Sequence, residues 1–294
     1  MTTLIDTSHI PELCPIRPRF TAIDGVTIRY ARTGRPGAEA LLLLSPWPES
    51  ILAFLPAWEA YSSRYEVLAI DLPGFGASQR LAGSNGPSAM GDFIVKAIAH
   101  FKLDRPHAVG PDVGTSSLLF AAADHPDALA SLTVGAGAAS YPLQVDGTLK
   151  DIIALPSAEP LLQMSIVAVV DSVLATLQRY KAAAFVRDDY IKCYGGNRFA
   201  ESAELVRTYP QELAILADRL RTIQTPVQII QGEHDPFVPV SNGEFLAARL
   251  PNSRLEILDA GHLAWEDAAD EYSRLVLDWA QLHRHRQTPD VEAR

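Results

Sequence analysis
The sequence predicts an α/β fold: a mostly parallel sheet of eight strands, helices on both faces, and a helical insertion that interrupts the sheet. Three observations predict it. Short runs that are apolar throughout, such as Leu41-Leu42-Leu43-Leu44, have the length and composition of parallel strands buried on both faces. These runs alternate with stretches of helical spacing, which implies right-handed crossovers and helices on both sides of a sheet. The alternation stops between about residues 141 and 216, where only helix-like stretches occur, and then resumes. At 294 residues the chain is long for one domain and short for two, which fits one domain carrying an insertion.

After an irregular, proline-marked start, residues 19–24 and 26–32 are short alternating runs joined by Asp24-Gly25, a dipeptide suited to a tight hairpin. They predict two antiparallel edge strands. Residues 39–45 predict a buried strand ending in Ser45-Pro46-Trp47-Pro48-Glu49-Ser50, with a helix from there to about residue 63. Residues 66–71 predict another, ending in Leu72-Pro73-Gly74-Phe75-Gly76-Ala77-Ser78. Phe93, Ile94, Ala97, Ile98 and Phe101 give helical spacing over 88–102. A strand starting at His107 and its following helix occupy 107–124, and 129–134 predicts the next strand.

Within the interruption, helix-like stretches cover 161–179, 181–190 and 200–208. Strands at 227–231 and 254–258, with helices over 241–250 and 265–283, complete the pattern. The expected organisation is a core in two parts, 1–140 and 217–294, with a helical lid at 141–216 over the carboxyl edge of the sheet, where ligands bind in such folds. The polar tail beyond Arg284 is expected to be mobile.

A formal net charge of −10 argues against phosphate backbones and anionic membranes as partners. Cys14 and Cys193, far apart and in dissimilar surroundings, suit reduced thiols and a cytoplasmic setting. The start MTTLIDTSHIPEL lacks the charged and apolar regions of a signal peptide, and no apolar run reaches the length of a membrane span. The expected partners are a small hydrophobic substrate and, left open, a second copy in a homodimer. Nucleic acid and membrane are not expected. Neither a clustered metal-ligand set nor a glycine-rich phosphate cradle is present in the sequence, so no metal or cofactor is expected.

The chemistry centres on Gly110-Pro111-Asp112-Val113-Gly114. A strand that turns at once into a helix brings two backbones together, and flanking glycines permit angles and contacts that a Cβ would block. Asp112 is then held out at the carboxyl end of the strand, beside the positive end of the helix. The bland alternative is an N-capping aspartate in a tight turn. His262, in Asp259-Ala260-Gly261-His262, and Asp235, in Gly232-Glu233-His234-Asp235-Pro236-Phe237, follow later strands and reach the same edge. The order nucleophile, acid, histidine is that of the α/β-hydrolases.

On these residues the chain resembles the α/β-hydrolase superfamily over about residues 19–282, which implies the α/β-hydrolase fold. An aspartate at the elbow is similar to the epoxide hydrolase and dehalogenase branch, and Trp47-Pro48-Glu49-Ser50 resembles the loop of epoxide hydrolases. The resemblance implies attack of Asp112 on an sp³ carbon to give an alkyl ester, which His262, oriented by Asp235, then hydrolyses. It assigns the backbone amides of Trp47 and Val113 to the oxyanion, with Ser45-Pro46 in place of the usual His-Gly. It also implies two lid tyrosines that donate to an epoxide oxygen, drawn here from Tyr141, Tyr180, Tyr190, Tyr194 and Tyr209. Val206 stands where related enzymes often carry a tyrosine.

Dehalogenation of haloacids or haloalkanes is the alternative, with the Trp47 indole as a halide donor and Val113 where those families carry tryptophan or arginine. A lyase or cyclase on the same scaffold is a further alternative. Phe237, Trp47 and the apolar lid imply a substrate with hydrophobic bulk. Trp265-Glu266 reads as a helix start with an acidic first turn.

Overall fold
All eight strands join one sheet in the order β1-β2-β4-β3-β5-β6-β7-β8. The computed structural model describes residues 5–35, 37–83 and 86–284. The polar tail expected beyond Arg284 lies outside the described residues. β1 (Arg19–Ile23) and β2 (Val26–Thr33) form an antiparallel hairpin. Its turn residues Asp24 and Gly25 have φ of 53° and 79°, the positive pair that matches the twist of such a hairpin. β2 runs antiparallel to β4 (Glu66–Ile70), and every other pairing is parallel, through β3 (Ala40–Leu44), β5 (His107–Pro111), β6 (Ser131–Gly135), β7 (Val227–Gly232) and β8 (Ser253–Leu258).

The leucine run in β3 shows how the sheet divides the core. Successive side chains of a strand point to opposite faces. Leu42 and Leu44 join the core layer under α2 (Pro87–His100) and α3 (Val113–Asp124). Leu41 and Leu43 join the layer under α1 (Trp58–Ser62) and the C-terminal helices α10 (Ala264–Asp267) and α11 (Ala269–Leu282). α9 (Ser241–Ala247) links β7 to β8. No described helix is long and apolar enough to cross a membrane.

Between β6 and β7 the described chain is helical: α4 (Gly147–Ala154), a 3-10 turn at Glu159–Gln163, α5 (Ile166–Leu174), α6 (Ala184–Cys193), α7 (Arg198–Arg207) and α8 (Tyr209–Arg219). The single helix expected over 161–179 is broken. Ser165 caps a new start by accepting from the Ala168 amide, and the amides of Gln178, Arg179 and Tyr180 donate instead to Asp267 Oδ1 at 2.8, 2.6 and 3.1 Å. α4 and α8 go beyond the helices expected. α8 carries Pro210 in its first turn, where a missing N–H breaks no helical bond. The helix expected after Ser50 is a 3-10 stretch, Ile51–Ala57, containing Pro56 and followed by α1. The last helix is divided at Ala268, whose φ and ψ of −122° and 40° are not helical.

The insertion is fastened to the core by buried charge. Arg29 on β2 is fully enclosed; its guanidinium bonds Asp71 Oδ2 at 2.5 Å and both oxygens of Asp189 on α6 at 2.8 and 3.0 Å. Ser50 donates to Asp189 Oδ2 at 2.6 Å, and Asp71 Oδ1 accepts from the Ile51 amide at 2.8 Å. This network holds the loop after β3 against both the sheet and α6.

Candidate active site
Asp112 stands between β5 and α3 with φ 52° and ψ −123°, a strained conformation for a residue with a Cβ. Its amide donates to Gly135 O at 3.0 Å, and its carbonyl accepts from the Thr115 amide at 2.9 Å. The turn needs bare backbone beside it. A Cβ at Gly110 would lie 2.6 Å from Leu118 Cδ1, and one at Gly137 only 2.1 Å from Asp112 O. At Gly114 the nearest atom would be 3.5 Å away, an ordinary contact, so the crowding expected at that flank falls on Gly137 instead.

The Asp112 side chain makes no capping bond to α3. Oδ2 accepts from the Trp47 amide at 2.6 Å, and Oδ1 lies 3.8 Å from His262 Nε2. Burial pushes the carboxyl above its ordinary range, against the opposing pull of His262 and of the Trp47 and Val113 amides. Both amides expected at the oxyanion pull the Asp112 carboxyl down, and Trp47 makes the regular hydrogen bond, to Oδ2. Pro46, which fixes φ near about −65°, is not an obstacle to this contact; residue 46 is not among the positions with positive φ.

Asp235 follows β7 in a turn closed by its own side chain. Oδ1 accepts from the amides of Phe237 and Val238 at 2.8 and 2.9 Å, which leaves Oδ2 for His262 Nδ1 at 2.8 Å. A carboxylate only accepts, so Nδ1 carries the proton and the neutral ring turns the Nε2 lone pair toward Asp112. Burial lowers the imidazole, but the charge and hydrogen bond of Asp235, with Asp112 beyond, raise it above the ordinary histidine value. Edge contacts with Phe237 at 5.2 Å and Trp265 at 5.7 Å between centroids fix the ring.

A cavity of about 90 Å³ opens onto Asp112 and His262. The core contributes Trp47, Pro48 and Phe237, and the insertion contributes Leu149, Ile152, Met164, Val169, Val173 and Phe199. Thr148 and Ser172 supply hydroxyls, and none of the lining residues is a lysine or arginine. Trp47 stacks on Phe199 at 5.2 Å and 10°, and its indole N–H donates to Ser202 Oγ at 2.8 Å. The halide donor expected of Trp47 is therefore already engaged.

The five tyrosines expected to act from the insertion separate. Tyr141 is exposed. Tyr190 donates to Glu266 Oε1 at 3.0 Å, and Tyr194 donates to Glu49 O and accepts from the Gly76 amide, both at 3.0 Å. Tyr180 is half-buried near Glu266, its phenol pushed up to about 12 by burial and by that carboxyl. None of the five, Tyr209 included, lines the cavity, so the expectation that two of them converge on Asp112 is corrected: the hydroxyls of Tyr190 and Tyr194 are bonded elsewhere and Tyr141 is exposed. Tyr209 is the one whose phenol, raised chiefly by burial, also responds to the Asp112 charge. Phe199, Ser202, Asp267 and the insertion residues of the cavity were not singled out from sequence; the apolar faces of the helices were their only signal.

Residues 39–269 match the family described as alpha/beta hydrolase fold. The chain belongs to that family. This α/β-hydrolase is similar to a poly(3-hydroxyalkanoate) depolymerase of Ectopseudomonas oleovorans, 25% identical over 273 residues that cover 91% of this chain and 94% of that protein. It is also similar to a 2-hydroxy-6-oxononadienedioate/2-hydroxy-6-oxononatrienedioate hydrolase of Klebsiella pneumoniae subsp. pneumoniae, 29% identical over 294 residues, covering 92% of this chain and 98% of that one. Among solved structures, the enol-lactonase from Burkholderia xenovorans LB400 superposes with a TM-score of 0.76 at 21% identity, covering 90% of this α/β-hydrolase and all of that chain (100%). That likeness concerns the fold.

Proposed function
We propose that this α/β-hydrolase opens a small, uncharged epoxide or similarly strained electrophile through an ester on Asp112. The observation that carries the reading is the division of labour within one carboxylate. Oδ2 is held by the Trp47 amide, while Oδ1 faces His262 without a hydrogen bond and is free to attack carbon. Attack by Oδ1 breaks the carbon–oxygen bond of the ring and leaves an alkoxide that takes a proton. Oδ2 becomes the ester carbonyl oxygen, already placed on the Trp47 amide. His262 then removes a proton from water, and the hydroxide adds to Cγ. Collapse of the tetrahedral intermediate expels the diol oxygen, which takes that proton back from His262, while the carboxyl proton left on Asp112 replaces the one spent in the first step. A serine at this position would leave an ether that a general base cannot hydrolyse. No cofactor enters either step.

Two features favour an epoxide over a halide. The Trp47 indole is committed to Ser202, and Val113 has no side-chain donor for a halide. Tyr209 does not line the cavity, but its buried phenol feels the Asp112 charge, which makes it the candidate acid for the alkoxide. The cavity favours an apolar, neutral substrate. A dicarboxylate of the kind named for the Klebsiella relative would bring anionic groups into a cavity that already holds Asp112 and has no basic residue in its lining.

Single turnover of styrene oxide in H₂¹⁸O tests the reading. The first diol formed should carry unlabelled oxygen from Asp112, and the peptide containing Asp112 should gain the label. Label in the first diol with an unlabelled peptide would instead mean direct attack by water, with Asp112 acting as a base.

A further inference from the structure
Behind the cavity lie two carboxyl groups for which the proposed steps have no use. Glu49, in the loop after β3, and Glu266, on α10, are enclosed at 0% and 1% exposure. Trp265 Nε1 donates to Glu49 Oε2 at 3.1 Å, and Tyr190 donates from α6 to Glu266 Oε1 at 3.0 Å. The remaining oxygens, Glu49 Oε1 and Glu266 Oε2, are buried with no hydrogen-bond donor, and the two side chains lie close enough to bond each other once one of them carries a proton. Carboxylates only accept, so a bond between two carboxyl groups requires a proton on one of them. No basic side chain among the described residues makes an ion pair with either.

Their position ties together the parts of the site. Glu49 is two residues beyond Trp47, whose amide holds Asp112, and its carbonyl receives the Tyr194 hydroxyl. Trp265 joins Glu49 to the His262 ring, against which it packs edge-on. The titratable groups facing the pair are Tyr190 from α6, Tyr180 from the segment after α5, Asp267 on α10, Asp112 at the elbow, and His262 across the Trp265 ring. Of these only His262 can become cationic, and it is paired with Asp235.

We propose that Glu49 and Glu266 are positioning residues: a carboxyl pair that shares a proton and clamps the loop bearing the Trp47 amide to the turn bearing His262. The catalytic purpose of the clamp rests on the Asp112 reading; its existence does not. Burial pushes both groups up, Glu49 further through the Glu266 charge and Glu266 to about 7 against the lowering hydrogen bonds from Glu49 and Tyr190, which keeps a proton on the pair toward neutrality. Loss of that proton on the alkaline side leaves adjacent buried anions with no cation between them, and the loop must move.

The test uses the unliganded protein. The infrared band of a protonated carboxyl should be present at neutral pH, should persist in D112N, and should vanish in E49Q/E266Q. During alkaline titration of the wild type, the Trp265 indole and Trp47 amide NMR resonances should shift with the midpoint of that band. In E266Q, where an amide donates at every pH, both should stay in place. Absence of the band at neutral pH, or a Trp47 amide that stays flat while the band disappears, overturns the proposal. The wild-type readouts do not depend on a variant folding, and they stand apart from whether Asp112 forms an ester.

Discussion
His262 presents Nε2 to Asp112 Oδ1 across 3.8 Å, too far for a hydrogen bond and close enough for one water or one ester oxygen to stand between them. The imidazole therefore does not occupy the oxygen that would attack. H262Q should leave ester formation intact and slow its hydrolysis by about 10²- to 10⁴-fold, the usual contribution of a general base. Intact mass spectrometry after exposure to styrene oxide should show one substrate mass added at Asp112. An H262Q protein that turns over at the wild-type rate would remove His262 from the reaction.

The second step should depend on pH in a definite direction. Only neutral His262 is a base, and its pKa is raised by Asp235 and Asp112 in spite of burial. In the ester Asp112 carries no charge, so Asp235 alone holds the imidazole up against burial, and ester hydrolysis should rise with pH through a midpoint that Asp235 sets. D235N removes the main cause of the rise and should move that midpoint down while lowering the plateau rate. Stopped-flow decay of the ester across pH measures both.

Tyr209 should affect only the first step. Y209F removes the phenolic proton while keeping the ring, so ester formation from an epoxide should fall by about 100-fold or more. Hydrolysis of the ester, once formed, should be unchanged. Equal loss in both steps would make Tyr209 a packing residue.

The lining of the cavity predicts selection against charge. A carboxylated epoxide should show a kcat/KM at least about 100-fold below that of its uncharged counterpart, because an unpaired carboxylate would sit beside Asp112 without a basic partner. Competition assays between a neutral and an anionic epoxide of equal size measure the ratio.

The Arg29–Asp189 contact predicts a stability effect remote from the reacting atoms. Burial pushes Asp189 up, but Arg29, His9 and Ser50 outweigh it and hold the carboxyl well below the usual range. A lowered native value stabilises the fold above the unfolded pKa, and that contribution is lost as pH falls below about 4. D189A leaves Arg29 buried with half its partners and should cost about 3–5 kcal/mol in urea unfolding. Its unfolding free energy should also fall less steeply below about pH 4 than that of the wild type.

Much of the core and the three candidate reacting side chains were legible in the sequence because their signals are local. Four consecutive leucines mark a strand buried on both faces, Asp24-Gly25 marks a hairpin, and Asp112 lies within five residues that encode both a strand end and a helix start. Asp235 and His262 follow strands of the same sheet, and the carboxyl edge of a parallel sheet collects whatever follows its strands. The tertiary structure alone decided the rest. Which oxygen of Asp112 is held and which is free, where each tyrosine hydroxyl goes, and how the insertion is moored depend on partners far apart in the chain. Tyr194 reaches the carbonyl of Glu49, Arg29 reaches Asp189, and Trp47 reaches Ser202. A buried polar group takes whichever partner the packed chain brings within about 3 Å, and no residue pattern encodes that distance before the chain has folded.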